Sequence, residues 1–370
     1  MLHSLWFWLT LLLIAVGIVL TAALGIFGWF ALALAIAILI LDGLLLYNAY
    51  VVEPAEAPTL PELEPVPDED RLPLIYDCDL TMGRPFRDVG DGLALLYLLG
   101  DPKIDVQAVT TTYGNGPVGM TTRTTRRLLD DLNLSDLSVV RGAGDPEGDP
   151  RENKAAQRLV EAGNSRPNEM VVMASGALTN LKHAHALDSG FFKKLRSLYL
   201  VGGLTGKVSW GDRVLLERNF SLDPEAAYEA ILTDCPTTIL LGEAGLTAIF
   251  RSPQFAALQA LDDPVSKVIV KRTRLWFGLM RFWFGDDGFA MWESIAALAI
   301  THPESMSTER VHLPTTIEDL RTGRLVTDPS PSGPVRLIHG VEDYESFIKA
   351  QFAAWQHLAR SIELDRKGES

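Results

Sequence analysis

The sequence predicts an α/β domain whose mostly parallel sheet is flanked by helices, preceded by an N-terminal transmembrane helical hairpin. Three observations carry this prediction. From Leu72 onward, short runs rich in β-branched residues alternate with amphipathic stretches, the pattern of strand-helix units. The polar residues Asp77, Asp79, Thr112, Asn115, Ser175 and Glu243 stand at or just beyond the ends of these runs. From Met1 to Val52, Asp42 is the only formally charged residue, a composition suited to lipid.

The apolar run comes first in the chain. One helix over it would be roughly 70 Å long against a hydrocarbon thickness of roughly 30 Å. Two spans, about 4–24 and 28–48, therefore fit better, with the break at Gly25-Ile26-Phe27-Gly28. Trp6 and Trp8 would share one interface with Tyr47 and Tyr50, and Trp29 would mark the other. A cleaved signal peptide is the alternative, but the basic n-region is missing and the apolar run is too long. The expected location is a bacterial-type inner or plasma membrane, with the lipid bilayer as a partner and the large domain on the cytoplasmic side. No Lys or Arg precedes Arg71, so flanking charge does not fix that side. Residues 53–70, with seven acids and five prolines, read as a self-repelling linker. Residues 71–370 form the remaining domain.

In that domain the candidate strands are Leu72 to Asp79, Ile104 to Thr112, Met170 to Ser175, Ser197 to Gly202 and Thr237 to Glu243. Between them lie helical patterns at Gly92 to Leu99, Thr121 to Leu132, Asn153 to Ala162 and Pro224 to Leu232. A parallel sheet covered by helices binds its ligand at the carboxyl ends of its strands. The stretch Lys267 to Phe284 mixes Lys and Arg with Trp, Phe and Met. It reads equally well as a segment covering the site or lying on a bilayer and as a buried helix or subunit contact, which leaves a homo-oligomer open.

Composition narrows the function. A chain of 370 residues, 47% hydrophobic and 22% charged, can bury a large core. Its 33 basic and 47 acidic residues give a net charge of -14, which excludes a nucleic-acid partner bound through phosphates. Cys78 and Cys235 cannot build a disulfide framework. No G-x-G-x-x-G follows the first strand, and Gly202 to Val208 (GGLTGKV) fails the phosphate-loop spacing, so a nucleotide cofactor is not supported. His183 and His185 alternate along a helical stretch and fall on different faces, which favours core and surface roles over metal binding.

The chemistry concentrates after the first strand. Leu72 to Leu95 reads LPLIYDCDLTMGRPFRDVGDGLAL. Asp77 and Asp79 point the same way because strand residues two apart share a face. The following loop brings Asp88 and Asp91 to the start of a helix. Four converging carboxylates repel one another unless a hard divalent cation, Ca²⁺ or Mg²⁺, binds between them. Solvated carboxylates capping the helix are the simpler reading, and that reading suits Asp88 and Asp91 better than the two that end an apolar strand.

The DCD motif followed by an acid opening an apolar helix, with VTTTYGN on the next strand, resembles the inosine-uridine preferring nucleoside hydrolases. ASGALTN (Ala174 to Asn180), LYLVGG (Leu198 to Gly203), ERNFSLDPEAA (Glu217 to Ala227) and STERV (Ser307 to Val311) follow in the family's order. The resemblance covers nearly all of the chain from Leu72 and implies a nucleoside hydrolase-like fold with a Rossmann-like core. It implies hydrolysis of the N-glycosidic bond of a ribonucleoside or related N-riboside, with one Ca²⁺ (Mg²⁺ being the lesser candidate) at the pocket floor. By similarity Asp79, Asp91, the Ser175 carbonyl and Glu293 hold the metal, Asp79 takes the proton of the attacking water, and Asp77 orients this shell. Asn115, Glu217 and Asn219 match positions that hold ribose hydroxyls.

Several positions depart from the family. Gly90 stands where the first of two adjacent aspartates is usual, with Asp88 as a nearby substitute, and the ribose-binding Asn expected near Gly211 is missing. Met291-Trp292-Glu293 replaces a His-Asp pair. Glu293 can ligate one methylene further out, whereas Trp292 can stack on a flat base but cannot protonate it as an imidazolium would. Two other readings therefore stand beside the hydrolase. One is a catalytically impaired, membrane-tethered nucleoside-binding protein. The other is a haloacid dehalogenase-like phosphatase, suggested by Asp77-Cys78-Asp79-Leu80-Thr81 with Ser175 and Asp286-Asp287.

Overall fold

The computed structural model describes residues 15, 26–50, 55–211, 213–284 and 287–368. Its main sheet has nine strands: β1 (Leu72–Cys78), β2 (Ile104–Thr111), β3 (Val139–Arg141), β4 (Val171–Ala174), β5 (Ser197–Val201), β6 (Thr237–Leu240), β7 (Met306–His312), β8 (Asp328–Pro329) and β9 (Val335–Val341). Their order is β8-β7-β9-β6-β5-β4-β1-β2-β3. From β9 through β6 to β3 every neighbouring pair is parallel, and only β7 with its partners β8 and β9 runs antiparallel. The five strands expected from sequence all lie in the parallel part, to which β3 and β9 and the antiparallel margin of β7 and β8 add.

The centre of the sheet is dry because its sequence leaves it no alternative. Leu74, Ile75, Tyr76 and Cys78 on β1 and Val172, Met173 and Ala174 on β4 are all fully buried. Such near-continuous apolar runs belong to parallel strands covered on both faces. The main helices are α1 (Ile26–Tyr50), α2 (Gly90–Gly100), α3 (Val118–Asp130), α4 (Lys154–Ser165), α5 (Thr179–Leu187), α6 (Pro224–Ile231), α7 (Ser252–Leu261), α8 (Pro264–Phe284), α9 (Trp292–Thr301) and α10 (Tyr344–Lys367). Helix α2 is buried over almost its whole length and packs against α9 and α10. Residues 55–67 carry neither helix nor strand, but Leu60 and Leu63 pack on the core and Glu62 pairs with Arg360 of α10 at 2.9 Å. The two leucines give this acidic segment an apolar foothold on the domain.

The N-terminal expectation needs correction. Among the described residues no helix is long and apolar enough to cross a membrane. This overturns the transmembrane hairpin and the membrane location, and leaves the lipid bilayer without support as a partner. The first expected span lies outside the described residues except for position 15, and the second coincides with α1. Helix α1 runs against α8 of the same chain and buries Ala35 there, while Trp29, Phe30, Leu34 and Ile40 stay more than half exposed. Apolar surface read from sequence as facing lipid is thus partly taken up by an intramolecular contact. The basic and aromatic stretch Lys267 to Phe284 is this α8 partner, seated between α1 and α10 with Phe277 fully buried.

Candidate active site

Strand β1 delivers Asp77 in register with Thr110 of β2 and Ala174 of β4, and the chain leaves the sheet at Asp79. Asp77 is fully buried. Its Oδ1 accepts hydrogen bonds from Thr110 Oγ1 at 2.6 Å and Asn180 Nδ2 at 2.7 Å, while its Oδ2 has no partner. Burial pushes its carboxyl up to about 7 despite those two donors, and the charge on Asp91 adds to the rise. Asn180 is in turn held by donating to the Thr111 carbonyl and accepting from Ala143 N–H and Asn153 Nδ2. A buried polar relay therefore fixes the floor of the site, and it ends on His183, whose Nδ1 lies 3.0 Å from Asn153 Nδ2.

Asp79 is gripped by the loop that follows β2. Asn115 donates its backbone N–H to Asp79 Oδ2 at 2.6 Å and its Nδ2 to Asp79 Oδ1 at 3.1 Å. This approach requires glycine at position 114, where φ is +147° and a Cβ would stand 2.0 Å from Asp79 Oδ2. Burial first, and then the charge on Asp91, holds the Asp79 carboxyl well above the usual range.

Asp91, in the first turn of α2, accepts from Tyr76 OH at 2.8 Å and Ser175 Oγ at 2.5 Å, and Ser175 Oγ lies 2.9 Å from Tyr76 OH. Burial raises the Asp91 carboxyl, with these donors opposing the rise. Ser175 thus contributes its hydroxyl to the cluster while its carbonyl accepts from Asn219 Nδ2 at 2.9 Å. Glu293, in the first turn of α9, is 7% exposed, with Oε2 buried and unpartnered. Its carboxyl is driven well up by burial and then by Asp88, Asp91 and Asp79. Asp88 is half-buried and accepts the Gly90 N–H at 3.1 Å, and burial pushes it up to about 6.

The structure therefore gathers Asp77, Asp79, Asp88, Asp91, Ser175 and Glu293 at the carboxyl end of β1 and β4, as a parallel sheet requires of its ligand site. Among the described residues no three His, Cys, Asp or Glu side chains stand preset as a metal cage. The donor set nevertheless suits a hard cation. The carboxylates meet in a buried space where they must hold protons or share a positive charge, and the Glu293 and Asp77 orphan oxygens have no protein donor. Oxygen ligands of this kind fit Ca²⁺, whose coordination tolerates irregular carboxylate arrays that Mg²⁺ accepts poorly.

The remaining expected residues are placed differently. Glu217 turns back on its own loop, accepting N–H groups from Phe220 at 2.8 Å and Ser221 at 2.9 Å. Asn219 donates to the carbonyls of Ser175 and Val201, both at 2.9 Å, which ties the ends of β4 and β5 and leaves only its oxygen for a ligand. Trp292 Nε1 donates to the Gly242 carbonyl at 2.7 Å, and the indole sits where a Cβ on Gly245 would be, 1.9 Å from Nε1. The indole N–H is thus committed to the backbone. Tyr76, Thr110 and Asn180 were not anticipated as site residues. Tyrosine in an apolar strand reads as core, and nothing in the sequence shows where its hydroxyl goes.

Residues 74–349 match the family described as inosine-uridine preferring nucleoside hydrolase. A pyrimidine-specific ribonucleoside hydrolase RihA of Shewanella sp. (strain MR-7) is 26% identical over 224 residues, covering 54% of this chain and 68% of that protein. A probable uridine nucleosidase 2 of Arabidopsis thaliana is 29% identical over 185 residues, 43% of this chain and 55% of that protein. Among solved structures, a purine-preferring ribonucleoside hydrolase from Gardnerella vaginalis superposes with a TM-score of 0.67 at 19% identity, over 78% of this chain and 99% of that one. With the family match spanning more than half of its length, this chain belongs to the inosine-uridine preferring nucleoside hydrolase family.

Proposed function

We propose that this protein hydrolyses the N-glycosidic bond of a ribonucleoside or related N-riboside, giving ribose and the free base, with Ca²⁺ at the carboxylate cluster. The observation that carries this reading is the convergence of buried Asp79, Asp91 and Glu293, with an orphan Glu293 oxygen, in a chain of this family. Asp79, Asp91, Glu293 and the Ser175 carbonyl would hold the ion. When bound, a divalent cation would fix a water in place and lower its pKa, leaving a carboxylate to complete the deprotonation. Asp79 receives that proton on its carboxylate, which Asn115 holds in place through both oxygens. Asp77 positions the strand end beneath it. Asn115, Asn219, Asp88 and Glu217 hold the ribose hydroxyls, with Glu217 acting after release from its own turn.

As the C–N bond breaks, the sugar gains oxocarbenium character, which the surrounding carboxylates stabilise. Trp292, and not a histidine, precedes Glu293, so no imidazole is supplied at that position to protonate the departing base. Trp292 contributes a flat face and no free proton, so bases that leave readily are the favoured substrates. Residues 71–370 form the hydrolase domain behind the 53–70 segment.

A second reading, a nucleoside-binding protein without turnover, is favoured by one observation: the Trp292 N–H is already bonded to Gly242. Incubating the protein with a panel of ribonucleosides and N-ribosides, with and without a chelator, and assaying free ribose separates the two. Chelator-sensitive ribose release supports the hydrolase, and saturable binding with no release supports the binder. The phosphatase reading conflicts with the family assignment and is set aside.

A further inference from the structure

Gly90 opens helix α2, next to Asp91. Its backbone is ordinary right-handed helix and not one of the positive-φ conformations that call for glycine. Alanine is normally the better residue in such a position. The reason for glycine lies across the site. A Cβ built on Gly90 would stand 1.8 Å from Glu293 Oε2, 2.9 Å from Glu293 Cδ and 3.1 Å from Asp88 Oδ2. The Glu293 carboxylate therefore occupies the space that any side chain at position 90 would fill. That same Oε2 is buried and without a hydrogen-bond partner, so it is inserted there without a protein donor to draw it in.

We propose that Gly90 and Glu293 are a matched pair in which the missing side chain at 90 admits the longer acid from α9 into the carboxylate cluster. The shape of the site demands this pairing. Glutamate is one methylene longer than aspartate, and that extra reach carries Oε2 over the α2 helix start. Gly90 is accordingly a positioning residue, acting through Glu293. A methyl group or an acid at 90 forces the end of the Glu293 side chain out of its buried place, and shortening the acid at 293 removes the conflict, because a retraction of roughly one C–C bond length relieves an overlap of this size. The inference deepens the proposed cation site, and only its calcium arm rests on that reading.

The test is a cycle of parent, Gly90→Ala, Glu293→Asp and the double variant, with Gly90→Asp as a second probe of the same space. Thermal unfolding is measured in chelator, and binding of Ca²⁺ alone is measured by calorimetry. Gly90→Ala is expected to lower the melting temperature of the parent by about 2–4 °C or more and to leave unchanged or raise that of Glu293→Asp. It is expected to weaken Ca²⁺ binding about tenfold in the parent and by much less in Glu293→Asp, the non-additivity of residues in contact. Should Glu293→Asp fail to fold, Glu293→Ala serves as the background for the thermal arm. Equal losses from Gly90→Ala in both backgrounds would overturn the pairing. Absence of Ca²⁺ binding in the parent would instead count against the proposed cation site, and the thermal cycle would still decide the pair.

Discussion

Replacing Asp77 with asparagine probes the buried floor of the site through its pH dependence. The carboxyl is raised from 3.8 to about 7, first by burial and then by Asp91, against the donors Thr110 and Asn180. A group whose pKa is raised on folding contributes stability that is fully present below its unfolded value and is lost as pH rises through the folded value. Taken from 3.8 to 7 at about 1.4 kcal/mol per pH unit, the loss amounts to about 4 kcal/mol at most. The substituted side chain is a buried amide whose cost is independent of pH, so the slope and not the absolute stability carries the signal. Denaturant unfolding in chelator from about pH 4 to 8 should show the parent losing up to about 4 kcal/mol more than Asp77→Asn across that interval. Parallel profiles for the two proteins would refute the account of Asp77 as a buried, partly unpartnered carboxyl.

Other expectations concern the chemistry. Asp79→Ala should retain the fold by circular dichroism while losing Ca²⁺ binding and ribose release; full metal occupancy in that variant would remove Asp79 from the ligand set. Gly114→Ala puts a Cβ 2.0 Å from Asp79 Oδ2, and a displaced base should lower kcat about a hundredfold, read by steady-state kinetics on the best riboside found. A nitrophenyl riboside should turn over much faster than inosine because no strong acid serves the base, and Trp292→His should narrow that gap; equal rates in the parent would mean another residue supplies the acid. Trp292→Phe removes the bond to Gly242 and should cost about 1 kcal/mol in denaturant unfolding.

How much of this was legible beforehand differs by region. Five of the parallel strands were readable because central strands such as β1 and β4 are dry on both faces and leave unbroken apolar runs, whereas β3 and β9, which also pair parallel, were not. The antiparallel margin was not. On β7, Ser307, Thr308 and Arg310 face out among polar neighbours while Met306 and Val311 are buried, too sparse an alternation to register. The carboxylate cluster was legible as a motif because Asp77 and Asp79 end an apolar strand. Its fastening was hidden, because Tyr76, Thr110 and Asn180 act through contacts between segments far apart in sequence. Gly90 was visible as a departure, but only the position of Glu293 shows what takes up the vacated space. The apolar N-terminus misled because composition reports how hydrophobic a helix is and says nothing of the α8 surface that packs on it.

The central claim is that this carboxylate cluster binds a cation in the service of N-riboside hydrolysis. It is tested most directly by following ribose release from a nitrophenyl riboside in calcium-buffered solutions while Ca²⁺ binding is measured on the same preparation. The expected result is no release from the chelated protein, release that rises with Ca²⁺ at the half-saturation found by binding, and neither signal in Asp79→Ala. Ribose release that persists undiminished in chelator, or Ca²⁺ bound at full occupancy with no riboside hydrolysed, would contradict it.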